Sequence, residues 1–197
     1  MLDSRVGGRL WAWVIVMGLA GQLAWTVENM YLNLFVYETI TDSPTVLAIL
    51  VSTSALAATL ATLLAGAASD RIGRRKEFIA IGYILWGLCT AAFGLVDVET
   101  ASRLLPAFDA VTIAIIAIVA LDCIMSILGS TANDAAFNAW VTDSTNTHNR
   151  GKVDSVLATL PLLAMLIVFG ALDPLTRGGN WLGFFAIVGG LTAVIGL

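Results

Sequence analysis

The sequence predicts an all-α membrane protein whose helices cross the bilayer six times. Of its 197 residues, 58% are apolar and only 12% are charged, about half the charged share of a soluble domain. A soluble monomer of this length leaves roughly 30% of its chain surface in water, and so much apolar surface could not be hidden there. Composition therefore excludes a soluble enzyme, a disordered chain and a small disulfide-stapled secreted domain.

Six apolar runs account for the predicted spans, because a hydrocarbon core of about 30 Å requires roughly 20 helical residues. They cover residues 10–37, 44–69, 78–96, 110–139, 153–172 and 181–197. The first run continues past Tyr31 without a small-residue cleavage site, so we expect it to remain in the membrane rather than be removed as a signal peptide. Asp173-Pro174, followed by Gly178-Gly179-Asn180, is expected to break the fifth span from the sixth.

The basic residues predict the orientation of the chain. Eight of the ten lysines and arginines precede the first run or lie in the loops 70–77 and 140–152, and only Arg103 and Arg177 lie on the other side. The positive-inside rule places the N-terminus and both basic loops in the cytoplasm. We expect the membrane to be a bacterial plasma membrane. The sixth run stops at Leu197 without a polar flank, so we expect a piece of a longer protein or one half of a two-part assembly.

Polar side chains recur along one face of the first run. They follow one another at i, i+4, i+7 and i+11: Gln22, Thr26, Asn29 and Asn33. Such a stripe suits a hydroxyl-rich solute, although hydrogen bonding between helices is the alternative. Trp25 could stack on a sugar face or pack inside the bundle.

The fourth run carries a second polar stripe. The first and fourth runs together contain the acidic residues at membrane depth. The stripe consists of Asp122, Ser126, Gly129 and Asn133, and Asp134 follows it. A charge at the bilayer centre costs at least about 2.5–3.5 kcal/mol, and no lysine, arginine or histidine lies in any run. Glu28, Asp122 and Asp134 are therefore expected to bind a proton or a mobile cation such as Na⁺, or to meet a basic group of a missing half. A neutral structural acid is the alternative.

Other site chemistry is missing from the sequence. Cys89 and Cys123 fall in apolar runs without metal-ligand spacing, and no phosphate loop, Ser/His/Asp constellation or basic–aromatic stripe occurs. We therefore expect no enzymatic activity, no nucleic-acid partner, and no cofactor or metal other than H⁺ or Na⁺ as a coupling ion.

The loop after the second run carries the most specific motif. Residues 66–76 read G-A-A-S-D-R-I-G-R-R-K, which resembles the signature loop of the major facilitator superfamily, G-x-x-x-D-(R/K)-x-G-(R/K)-(R/K). Its fixed positions are filled by Gly66, Asp70, Arg71, Gly73, Arg74 and Arg75. A positive-inside anchor alone would explain the basic residues but not the two glycines and the aspartate. The resemblance implies the N-terminal six-helix half of a carrier, built from two inverted three-helix repeats, in which this loop gates the cytoplasmic side.

A second resemblance concerns the fourth run. The segment 133–150, with Asn133, Asp134, Trp140, Asp143 and Arg150, is similar to the fourth helix and following loop of the glycoside–pentoside–hexuronide sugar:cation symporters, and residues 21–37 are similar to their first helix. This resemblance implies that Asp134 serves the cation or the sugar.

The predicted function is half of a cation-coupled secondary transporter for a sugar or similar small polar solute, working by alternating access. Asp134, Asp122 and Glu28 are expected to handle the cation. The solute is expected to meet Gln22, Trp25, Thr26, Asn29, Asn33, Ser126 and Asn133.

The expected partners are the bilayer, the solute and a second six-helix half, either a C-terminal half or a second copy in a homodimer. A non-transporting receptor or scaffold is the alternative from another class. An intramembrane hydrolase is disfavoured, because Asp122 and Asp134 lie about 18 Å apart on one helix and cannot form a dyad.

Overall fold

A computed structural model describes the backbone of residues 7–72 and 75–197 and their side chains except those of residues 68–72. The described residues form helices and no strand: α1 Gly8–Thr39, α2 Pro44–Ile72, α3 Arg75–Leu95, α4 Val98–Leu104, α5 Ala110–Ser144, α6 Arg150–Arg177 and α7 Trp181–Ile195. Among them α1, α2, α3, α5 and α6 are long and apolar enough to cross a membrane, and α7 is a shorter apolar helix. The predicted all-α membrane fold class is confirmed.

The helices extend into segments that were expected to be loops. α5 continues to Ser144 and α6 begins at Arg150, because Val141 is buried against the bundle and keeps the helix docked. The connection between α5 and α6 is therefore residues 145–149 rather than the expected 140–152. Within the expected loop 70–77, α2 reaches Ile72 and α3 begins at Arg75.

The expected break between the fifth and sixth spans falls at Gly178-Gly179-Asn180, because α6 runs through Asp173-Pro174 to Arg177 and α7 begins at Trp181. Proline cannot donate to the carbonyl one turn earlier, and a π-helical turn over Val168–Leu172 precedes it and absorbs the misfit. Asp173 also accepts a hydrogen bond from the Tyr31 hydroxyl at 3.0 Å, which ties this end of α6 to α1.

Two aspartates cap helices on the side opposite the basic loops. Asp97 accepts from the backbone N–H of Thr100 and starts the short α4, which was not predicted from the sequence. Asp109 starts α5, where the hydroxyl and the backbone N–H of Thr112 both donate to its carboxylate. These hydrogen bonds lower the pKa of Asp109 below its ordinary value, because they favour the charged form.

The pairing of the long helices reflects an internal repeat. α1 packs on α6, α2 packs on α5, and α3 packs on α7. When α1, α2 and α3 are exchanged with α5, α6 and α7, this set of pairs maps onto itself. That symmetry is expected of two three-helix repeats related by a two-fold axis in the membrane plane.

Glycines bring α3 and α7 into backbone contact. A Cβ built on Gly87 would lie 2.3 Å from the carbonyl oxygen of Gly189, and one on Gly189 would lie 2.4 Å from the carbonyl oxygen of Gly87. No side chain fits at either position, so the two helices approach as closely as small residues allow in membranes. This contact sets the position of α3, and with it the buried residues Tyr83 and Trp86 that face α1 and α5.

Candidate functional site

Two buried acids meet between α1 and α5. The Ser126 hydroxyl of α5 donates to Glu28 Oε1 of α1 at 2.6 Å. The Ser54 hydroxyl of α2 donates to the backbone oxygen of Val51 at 3.3 Å and lies beside Asp122 of α5. Glu28 is 7% exposed and Asp122 is 1% exposed, and the two carboxyl groups lie near enough to interact electrostatically. Three helices thus converge on one acidic pair.

Each acid of the pair keeps one oxygen without a partner. Within the described part of the chain, Glu28 Oε2 and Asp122 Oδ1 are buried and have no hydrogen bond. A buried polar atom without a partner costs free energy of the order of 1–3 kcal/mol. The described residues form no group of three His, Cys, Asp or Glu side chains that could hold a metal ion. Each free carboxyl oxygen can take up a proton or serve as one oxygen ligand of a cation.

A cavity of about 150 Å³ adjoins the acidic pair between α1, α2 and α5. Its polar walls come from Trp25, Glu28, Asn29, Asn33, Ser54 and Asp122, and leucine, valine and alanine side chains complete it. At about 30 Å³ per water molecule, it holds roughly five waters. A sugar-sized solute would extend beyond it onto the open face of the bundle.

Only part of the predicted α1 stripe lines this cavity. Asn29 and Asn33 do, whereas Gln22 and Thr26 do not; Thr26 donates to the backbone oxygen of Gln22 at 2.7 Å. A π-helical turn over Val27–Leu32 follows these two residues. Glu28 shares the cavity with both asparagines because Trp25, Glu28, Asn29 and Asn33 are spaced at i, i+3, i+4 and i+8, which is the spacing of one helix face.

Asn133 is part of a buried polar contact between α1, α3 and α5 rather than of the cavity wall. The Tyr83 hydroxyl lies 2.9 Å from Asn133 Oδ1 and 3.0 Å from the backbone oxygen of Met17. Asn133 Nδ2 donates to Asp134 Oδ1 at 3.1 Å, and a Cβ at Gly21 would come within 2.5 Å of Asn133 Oδ1. Protein groups thus occupy both ends of this amide.

Asp134 lies apart from the cavity that Glu28 and Asp122 line. It is half-buried and approaches the Trp25 indole, whose ring forms part of the cavity wall. Asp134 belongs to a second π-helical turn, Ser130–Phe137. This turn ends seven residues before Ser144, and the turn of α1 ends seven residues before Thr39. The two repeats therefore carry the same distortion at the same distance from the helix end. π-helical turns are frequent at functional sites.

Only part of the predicted gating loop can be located. Arg75 donates to the backbone oxygen of Ala139 at 2.8 Å and pairs with Asp143, which joins the start of α3 to the end of α5. A Cβ at Gly66 would meet no described atom within 4 Å. The side chains of Asp70 and Arg71, and all of Gly73 and Arg74, lie outside the described residues, so their gating role stays a prediction.

Ser54 and Tyr83 belong to the site region although neither was predicted from the sequence. Ser54 is one of three adjacent hydroxyl residues, and Tyr83 is a single hydroxyl in an apolar stretch, so neither belongs to a periodic polar stripe. Burial is the signal that separates them: Ser54 is buried while Ser52 and Thr53 beside it are not, and Tyr83 is fully buried.

An all-helical membrane bundle with paired repeats and buried acids is the architecture of a secondary membrane transporter. The family model of the Major Facilitator Superfamily matches residues 13–197, and the chain belongs to this family. Members of the family are transporters rather than enzymes. No curated protein and no solved structure matches the chain.

Replacing Tyr83 by phenylalanine tests the buried polar contact. We expect Tyr83→Phe to lower the free energy of unfolding by about 1–3 kcal/mol, because Asn133 Oδ1 and the oxygen of Met17 lose a donor. The measurement is the thermal unfolding midpoint of the purified chain in detergent. Tyr37→Phe, at an exposed tyrosine of the same chain, is the control. Equal midpoints for the two variants would contradict a structural role for this contact.

Proposed function

We propose that the chain forms one half of a cation-coupled carrier for a sugar or similar small polar solute. The observation that carries this proposal is the acidic pair Glu28–Asp122, buried where α1, α2 and α5 converge and adjoined by a cavity. A purely structural bundle has no need of two acids with unpaired oxygens at this depth, since each adds an insertion cost.

The coupling mechanism follows from the charge of the pair. No described ion pair involves Glu28, Asp122 or Asp134, so a charged state is costly until a cation binds. Binding of H⁺ or Na⁺ removes the excess negative charge and permits the half to move against its partner. Ser126 holds one side of the Glu28 carboxyl group and Ser54 lies beside Asp122, which leaves Glu28 Oε2 and Asp122 Oδ1 for the ion. Asp134, beside Trp25, is the third acid of the proposed coupling set.

The solute is proposed to bind next to the ion. Trp25, Asn29 and Asn33 line the same cavity as the acids, and amide groups with an indole ring suit a hydroxyl-rich molecule. Asn29 is exposed, so it can reach a solute beyond the small cavity. Ser126 and Asn133 are engaged by Glu28 and Tyr83 and would act by positioning, and Gln22 and Thr26 lie outside the cavity wall.

A second six-helix half completes the proposed carrier. α2 crosses the membrane with most of its surface outside the bundle, and the cavity opens between α2 and α1. A C-terminal half or a second copy of the chain would close this side, and the loop 66–76 would gate by contact with it.

Uptake into vesicles tests the proposal. The full chain is reconstituted in liposomes, and accumulation of radiolabelled glucose, xylose and lactose is measured under an imposed H⁺ or Na⁺ gradient. We expect one gradient to drive accumulation of at least one sugar, and Asp134→Asn to reduce it. Asp42→Asn, at an exposed residue between α1 and α2, is the control.

Three outcomes would count against parts of this proposal. Unchanged cation-driven accumulation in Asp134→Asn removes that residue from coupling. Sugar binding without transport favours a receptor. Accumulation that ignores both gradients removes the cation from the mechanism.

A further inference from the structure

A larger cavity lies at the end of the helical bundle opposite to α4. Its volume is about 630 Å³, and it lies between the first turns of α1 and α3 and the last turns of α5 and α7. None of the residues that line the acidic cavity takes part in it. It is therefore separate from the cavity beside the acidic pair, and Lys76 is its one lining residue from the proposed gating loop 66–76.

Two cations mark the membrane-surface end of this cavity. Arg9 lies in the first turn of α1 and Lys76 in the first turn of α3. Both helices begin at the same membrane surface, because α2 returns the chain across the bilayer between them. Among the described side chains neither cation pairs with a carboxylate, and both are exposed. The rim is thus positively charged and open to an anion.

The cavity becomes apolar with depth. Met17 lies eight residues beyond Arg9, about 12 Å further along α1, and Ile79 lies about one turn beyond Lys76. Trp13, between Arg9 and Met17, is 44% exposed, whereas Met17 is 8% exposed. Trp140 of α5 contributes a second indole to the lining. Tryptophans at this level are typical of the boundary between headgroups and acyl chains.

We propose that this cavity binds one anionic phospholipid, with its phosphate at Arg9 and Lys76 and an acyl chain along Met17 and Ile79. The volume corresponds to roughly twenty water molecules at about 30 Å³ each, far more than a free phosphate ion requires. Apolar walls below a basic rim match a molecule with a charged head and a hydrocarbon tail. Basic cavities between membrane helices bind such headgroups on general electrostatic grounds.

The proposal is tested by native mass spectrometry of the full chain in detergent, with phosphatidylglycerol or phosphatidylcholine added. We expect phosphatidylglycerol to bind more tightly than phosphatidylcholine. The double variant Arg9→Gln/Lys76→Gln is expected to weaken phosphatidylglycerol binding by roughly 10- to 30-fold, as the loss of two favourable basic contacts implies. It should leave phosphatidylcholine binding unchanged.

A charge-matched variant and a competitor complete the test. Arg103→Gln/Lys152→Gln removes two exposed cations away from the cavity and should not change lipid binding. An equal loss in this control would show a general charge effect and overturn the site. Displacement of phosphatidylglycerol by millimolar inorganic phosphate would show a simple anion site, and equal binding of the two lipids would show an apolar groove. Both results would also overturn the proposal.

Discussion

Asp122→Asn is expected to abolish ion-driven accumulation of the solute. Asp122 is 1% exposed and one of its oxygens has no partner among the described residues, so the bound cation is proposed to neutralise it. An intramembrane charge is worth about 2.5–3.5 kcal/mol, which corresponds to a loss of roughly 100-fold in cation affinity. The measurement is initial uptake in proteoliposomes as a function of H⁺ or Na⁺ concentration.

Two further variants separate coupling from folding in this experiment. Ser54→Ala removes only the hydroxyl beside Asp122 and should weaken cation dependence by roughly tenfold or less, the effect of one hydrogen bond. Solute exchange without a gradient should survive in Asp122→Asn, because the solute is proposed to contact Trp25, Asn29 and Asn33 instead. Full gradient-driven accumulation in Asp122→Asn would show that the buried pair has no part in coupling.

Gly189→Ala is expected to be strongly destabilising although it adds a single methyl group. A Cβ at Gly189 would lie 2.4 Å from the carbonyl oxygen of Gly87 and 2.5 Å from the backbone nitrogen of Ala91. Backbone atoms cannot move aside by rotamer changes, so α3 and α7 must separate. Overpacking costs typically about 1–3 kcal/mol, and we expect the upper end of that range here. The measurement is the thermal unfolding midpoint in detergent.

The adjacent glycine provides a matched control for Gly189. A Cβ at Gly190 would meet no described atom within 4 Å, and alanine is the better helix former by about 0.5–1 kcal/mol. Gly190→Ala should therefore leave the midpoint unchanged or raise it slightly. If Gly189→Ala unfolds at the same temperature as Gly190→Ala, the backbone contact between α3 and α7 is not as close as the structure has it.

The sequence alone determined the fold class and the position of most spans. Bilayer thickness requires long apolar segments. The sequence shows such segments directly, and they correspond to α1, α2, α3, α5 and α6. The same physics singled out Glu28, Asp122 and Asp134, because acids in apolar segments are costly and therefore conspicuous. The motif in the loop 66–76 indicated the family, and the family match over residues 13–197 then showed it.

Only the tertiary structure decided which polar groups meet. Periodicity defines the faces of one regular helix, but it does not give the rotation and depth of that helix against its neighbours. Here Glu28, Asn29 and Asn33 of α1 line one cavity with Asp122 of α5, whereas Gln22 and Thr26 of the predicted stripe do not. Packing then recruited Ser54 from α2 and engaged Asn133 with Tyr83 of α3. Such contacts depend on close approaches like that of Gly87 and Gly189, which no pattern within a single helix encodes.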